Sequence, residues 1–122
     1  MILSGTHINI VDNTGAKIAK CIKVLGGIKK KFAKVGDKIV VSIKKSNLST
    51  KIKEGDIYYA IIIRTKKQLV RKTGVVVKFF DNAGVLINKE GNLVGTRIFG
   101  IVPKEIKDRN YLKIISLAQE IS

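Results

Sequence analysis

Residues 36–64 read GDKIVVSIKKSNLSTKIKEGDIYYAIIIR, and two Gly-Asp pairs divide the stretch into two runs of strand length. The first pair, Gly36-Asp37, turns the chain into residues 38–44, where Ile39, Val41 and Ile43 share one face, as a half-buried strand requires. The second, Gly55-Asp56, opens residues 57–64, the most apolar part of the chain, which reads as a central strand. Between the runs, residues 46–53 form a polar, lysine-bearing loop. The same succession of short β-patterned runs and Gly/Asp/Asn turns continues in both directions.

Upstream, Thr6, Ile8 and Ile10 alternate with His7, Asn9 and Val11, and Asp12-Asn13-Thr14-Gly15 supplies turn chemistry because Asn and Gly tolerate positive φ. Residues 17–25 form a second run, closed by Gly26-Gly27 and followed by a basic segment over 28–34. Downstream, residues 66–73 read as a basic, hairpin-like excursion ended by Gly74. Residues 75–80, 85–88 and 96–102 are strand-like, with turns at Asp81-Asn82-Ala83-Gly84 and Glu90-Gly91-Asn92. Pro103 then changes the pattern, since proline suits a first helical position, and residues 104–109 and 110–118 read as two short helices. Strands at this spacing predict a mainly β fold, a small barrel or sandwich, and closure into a barrel removes exposed strand edges. No internal repeat or linker interrupts the 122 residues, which suit one domain.

With 45% hydrophobic residues the chain has material for a core, and a domain of this size buries roughly two-thirds of its unfolded surface. Charge is the outlier: 24 Lys+Arg against 9 Asp+Glu leave a net +15. Such an excess opposes compaction, so a polyanionic partner is expected. Nucleic acid fits better than a membrane surface, because there is no Trp and no long basic amphipathic helix. The longest apolar run, residues 57–63, is too short to span a bilayer as a helix. Residues 1–10 lack the basic and apolar regions of a secretory signal, and a soluble, intracellular protein is expected. Cys21 is the sole cysteine, so neither an internal disulfide nor a cysteine-based metal cluster can form.

Residues suited to catalysis are sparse. His7 sits in a strand without a partner of the kind a general base needs. Cys21, among Ile18, Ile22 and Val24, reads as a small buried hydrophobe. Gly26-Gly27 is not followed by a phosphate-loop pattern, and the scattered acids suggest neither a carboxylate pair nor a metal site. The expectation is a protein that is not an enzyme and has no cofactor or metal.

Basic residues, by contrast, are grouped. Lys29, Lys30 and Lys31 follow the glycine pair; Lys44 and Lys45 end a strand, with Lys51 and Lys53 just beyond; Lys66, Lys67, Arg71 and Lys72 decorate the hairpin-like excursion. Thr96 and Arg97 open the last strand. A solvated surface is the plain reading for any one lysine, but grouping at this net charge favours phosphate neutralisation with counterion release. Only seven aromatics occur; Phe79 and Phe80 adjoin, so one could face out, yet no stacking cluster is evident. Phosphate and shape recognition of folded RNA fits this better than base-by-base reading.

Six blocks carry a family resemblance: Asp12-Asn13-Thr14-Gly15-Ala16, Cys21-Ile22-Lys23-Val24-Leu25-Gly26-Gly27, Val35-Gly36-Asp37, Arg64-Thr65-Lys66-Lys67, Gly95-Thr96-Arg97-Ile98-Phe99-Gly100 and Lys113-Ile114-Ile115-Ser116-Leu117-Ala118. In this order they resemble universal large ribosomal subunit protein fourteen over almost the whole chain. Two departures are Thr73 before Gly74, and Ile101-Val102-Pro103 after Gly100 where bacterial relatives tend to have proline at once. The resemblance implies a small closed five-stranded β-barrel over about residues 1–102, with a hairpin extension and short C-terminal helices over about 103–122. It implies contacts with large-subunit rRNA and neighbouring ribosomal proteins, and Arg64 joins the basic groups above as an RNA contact. It further implies an intersubunit surface of Thr96, Arg97 and Lys113, bridging to small-subunit rRNA and docking a ribosome-silencing factor. The abundance of lysine over arginine, with Arg64, Arg71, Arg97 and Arg109 the only arginines, and of isoleucine points to an A/T-rich genome. That favours a mitochondrial ribosome over a plastid or bacterial one.

Overall fold

The computed structural model describes residues 2–26, 31–47, 51–67, 69–108, 114 and 117–121. Strands β1 (His7–Ile10), β2 (Ala16–Val24), β3 (Lys38–Ser46), β4 (Ile57–Arg64) and β7 (Ala83–Ile87) close a barrel in the order β1-β2-β3-β4-β7. Neighbours are antiparallel except at the seam, where β1 and β7 run parallel through Asn9↔Ala83 and Ile10↔Gly84. A ring of five strands cannot alternate direction all the way round, so one parallel pair is a geometric necessity of closure with an odd number.

The two Gly-Asp pairs are one device used twice. The Asp37 N–H donates to the Lys34 carbonyl at 2.9 Å, and the Asp56 N–H to that of Lys53 at 3.1 Å. Gly36 and Gly55, third in these turns, have φ of 88° and 89°, the left-handed value a type II turn needs there. Each aspartate then folds back, its Oδ2 accepting the N–H of Lys34 or Lys53 at 2.9 Å.

The apolar run of β4 is explained by its two buried faces. Ala60 and Ile62 point into the barrel with Ile8, Ala19, Cys21, Ile39, Val41, Ile43 and Leu86. Ile2 and Ala33, joined by reciprocal backbone hydrogen bonds, and Ile52 complete that interior. Ile61 and Ile63 point outward, with Ala83, Val85 and Ile87 of β7, into a second core. Strand β8 (Ile98–Val102), the single helical turn α1 (Glu105–Asp108) and residues Ile114 and Leu117 cover it, contributing Ile98, Val102 and Ile106. A strand covered on both sides loses the polar alternation of a half-exposed one.

Several sequence expectations are revised here. Residues 96–102 yield β8, which lies outside the barrel ring and pairs in parallel with β9 (Ala118–Ile121), so the chain closes on a strand where a helix was expected to reach 118. Residues 75–80 supply no barrel stave: only β6 (Val76–Val77) is extended, paired with β5 (Leu69–Val70) in a two-stranded arm. The expected helix at 104–109 is the short α1, and most of the one expected at 110–118 lies outside the described residues.

Candidate nucleic-acid interface

The basic groups are divided between the two ends of β3. Lys44 and Lys45 are exposed at its C-terminal end and Lys51 and Lys53 in the connection that follows; Lys31 is exposed in the connection before β3, and Lys66, Lys67 and Lys72 are exposed on the arm and its root, which follows the end of β4 paired with the start of β3. Strand β2 adds exposed Lys17, Lys20 and Lys23, which sequence reasoning passed over. Only Lys20 was legible, alternating with buried Ala19 and Cys21; Lys17 and Lys23 share the parity of those two residues and are turned out where the pairing register of β2 with β3 shifts. Lys29, Lys30 and Lys113 lie outside the described residues.

Two arginines of the same grouping have structural partners. Arg64 is buried at the end of β4; its Nε and Nη2 donate to the two oxygens of Asp81 at 3.0 and 3.3 Å, and Nη1 donates to the Ile101 carbonyl at 3.0 Å. The guanidinium therefore joins three segments, the end of β4, the strand entry at Asp81 and β8, and is turned away from the surface where an RNA contact was expected. Arg71 is half-buried, and its Nε donates to Glu105 Oε1 at 2.9 Å, tying the arm to α1.

Thr96 and Arg97 are exposed in a connection that Asn13 holds. Asn13 Oδ1 accepts the N–H groups of Thr96 and Arg97 at 2.8 and 3.1 Å, and its Nδ2 donates to Thr96 Oγ1 at 2.8 Å. Asp12, beside it, is buried: its Oδ2 accepts the Leu86 N–H at 3.0 Å, and its Oδ1 accepts the Thr14 hydroxyl at 2.6 Å and N–H at 3.2 Å. Burial pushes the Asp12 carboxyl above its ordinary pKa, against the opposing pull of these hydrogen bonds. Gly95 is required by the closeness of the two segments, because a Cβ there would lie 2.8 Å from Asn13 Oδ1 and 3.1 Å from Asp12 Cβ.

His7 is exposed, and Cys21 is buried in the barrel core, where burial raises its thiol pKa. Among the described residues no three His, Cys, Asp or Glu side chains gather as metal ligands would. A groove of about 350 Å³ on the barrel is lined by Val40, Ile57, Tyr58, Tyr59, Ile87, Asn88 and Lys89, with neither an acid nor a histidine among them.

A closed barrel with a two-stranded arm, ringed by exposed lysine, agrees with the result of comparison with known families: the chain matches ribosomal protein L14p/L23e over residues 1–122. The chain belongs to the L14p/L23e family. As a member it is a structural constituent of the large ribosomal subunit, binds rRNA and associates with other ribosomal proteins. The surplus charge of this L14p/L23e chain is thereby matched to phosphate, and the blocks that carried the resemblance occupy defined places. Asp12-Asn13 and Gly95-Thr96-Arg97 are two sides of one hydrogen-bonded junction, and Arg64 is the strut beneath the arm.

Proposed function

We propose that this L14p/L23e chain is a two-sided element of the large subunit. Lys29, Lys30, Lys31, Lys44, Lys45, Lys51, Lys53, Lys66, Lys67, Arg71 and Lys72 form its rRNA side. Thr96, Arg97 and Lys113 form a surface that meets small-subunit rRNA across the intersubunit interface and docks a ribosome-silencing factor. Arg64 serves the first side indirectly, by fixing the root of the arm. The role is structural, without catalysis. The lysine and isoleucine bias favours a mitochondrial ribosome.

The observation that carries this reading is the Asn13 junction. It fixes the backbone of residues 96 and 97 through two hydrogen bonds and holds the Thr96 hydroxyl through a third, while both residues stay exposed. Core packing has no use for such a side chain, whereas an external contact gains from one that is already oriented. Arg97→Glu tests it. The variant should keep its melting temperature and enter large subunits at full occupancy, yet give fewer joined ribosomes on density gradients and weaker capture of the silencing factor. Unchanged joining and unchanged factor capture would remove the intersubunit assignment. Occupancy of large subunits after a moderate salt wash tests the rRNA side separately.

A further inference from the structure

Phe80 has the most exposed large hydrophobic side chain among the described residues, at 91%, ahead of Ile57 at 67%. Single exposed apolar residues are common on protein surfaces, so exposure alone indicates nothing. What distinguishes Phe80 is its footing. Asp81, next in the chain, receives two N–H groups from Arg64. Asn82 Oδ1 accepts the Lys66 N–H at 2.9 Å, and the Asn82 carbonyl accepts the Asn9 N–H at 2.8 Å. The ring thus projects into water from a backbone pinned to the ends of β4 and β1.

Its surroundings are cationic. Lys78, two residues earlier, is exposed, and the Lys66–Asn82 bond brings exposed Lys66 and Lys67 to the same root of the arm. The nearest acid in sequence, Asp81, is paired with Arg64. Lysine is depleted at protein–protein interfaces, so an aromatic ring set among lysines suits a polyanion better than a protein pocket. Single-stranded nucleic acid offers the matching chemistry, an apolar π-face flanked by phosphates, and a phenylalanine loses little rotamer freedom in meeting it.

We propose that Phe80 stacks on an unpaired base of large-subunit rRNA, with Lys66 and Lys78 against the adjoining phosphates. This rests on the rRNA-bound reading above and adds to it one fixed base contact, in a protein otherwise suited to shape and phosphate recognition.

Large subunits assembled with Phe80→benzoylphenylalanine should crosslink on illumination to large-subunit rRNA. In filter binding with purified large-subunit rRNA, Phe80→Ala should weaken affinity about 5- to 150-fold and Phe80→Trp should retain it. Phe80→Leu, apolar but unable to stack, should behave like the alanine variant. All three should melt with the wild type, since the ring supports no packing. A crosslink to protein alone, no crosslink, or full binding by Phe80→Leu would overturn the stacking. Failure of the wild-type chain to occupy large subunits would instead remove the rRNA-bound reading, which the same gradients report independently.

Discussion

The side-chain amide of Asn13 is bonded at both ends to Thr96: Oδ1 accepts the Thr96 N–H and Nδ2 donates to the Thr96 Oγ1, each at 2.8 Å. Removing this junction should loosen residues 96 and 97 ahead of the barrel. Asn13→Ala is expected to cost about 1–2 kcal/mol, because the bonds lost are largely open to solvent. Amide hydrogen exchange should accelerate at Thr96 and Arg97 while the β3 and β4 amides stay protected. Gly95→Ala should produce the same local pattern, since its added Cβ would displace the Asn13 oxygen.

Arg64→Lys should destabilise the fold even though the charge is kept. A lysine ammonium cannot reproduce the fork that reaches both Asp81 oxygens and the Ile101 carbonyl. Breaking a fully buried pair costs about 3–5 kcal/mol; the Asp81 side chain is 36% exposed, so about 2 kcal/mol is expected. Denaturant titration would measure this. An unchanged midpoint would show that the strut carries no stability.

Asp12 gives a pH signature. Its folded carboxyl holds a proton more tightly than the unfolded chain, in which aspartate titrates near about 3.9. The linked contribution therefore favours folding in full below that value and is lost as pH rises through the higher folded pKa. An NMR titration of the Asp12 carboxyl carbon should give a midpoint above the reference; one at or below it would contradict the burial argument. Asp12→Ala should cost about 2 kcal/mol at neutral pH, since it leaves the buried Leu86 N–H without its acceptor.

The arm lysines should act on binding alone. Lys66→Gln, Lys67→Gln and Lys72→Gln together are expected to weaken rRNA binding and flatten its salt dependence by up to about 0.7–0.9 in the log–log slope per lost phosphate contact. Melting should be unaffected, because all three residues are exposed. Arg71→Gln should differ, lowering the melting temperature through loss of its bond to Glu105. Equal melting for the two sets would erase this division of labour.

What could be read from the sequence was local. The Gly-Asp turns announced β3 and β4, and β4 has the bounds its apolar run suggested, 57–64. Pairing partners were not readable. Val75, Val76 and Val77 have strand composition, but only Val76 and Val77 are extended, and they meet Leu69 and Val70 instead of the barrel. Residues 118–121 became a strand because β8 offers an edge beside them, which no helical pattern could disclose. Arg64 was expected as an RNA contact from its place in a family-like block, and Asp81, from another segment, turns it inward. Asn13 was legible as a turn residue, and Thr96 as its partner was not.

The parallel seam between β1 and β7 also sets an order of events during synthesis. Four strands are complete once residue 64 has been made, but Asn9 and Ile10 must wait for Ala83 and Gly84. At about 5–20 residues per second the interval lasts one to several seconds, during which β1 and β4 are open edges. Open edges recruit strands from other molecules unless charge keeps those molecules apart. The nascent chain already carries Lys17, Lys20 and Lys23 on the strand next to β1 and Lys44 and Lys45 at the end of the strand next to β4. These lysines carry the same sign on every copy of the newborn chain, and so hold its copies apart until the last stave arrives.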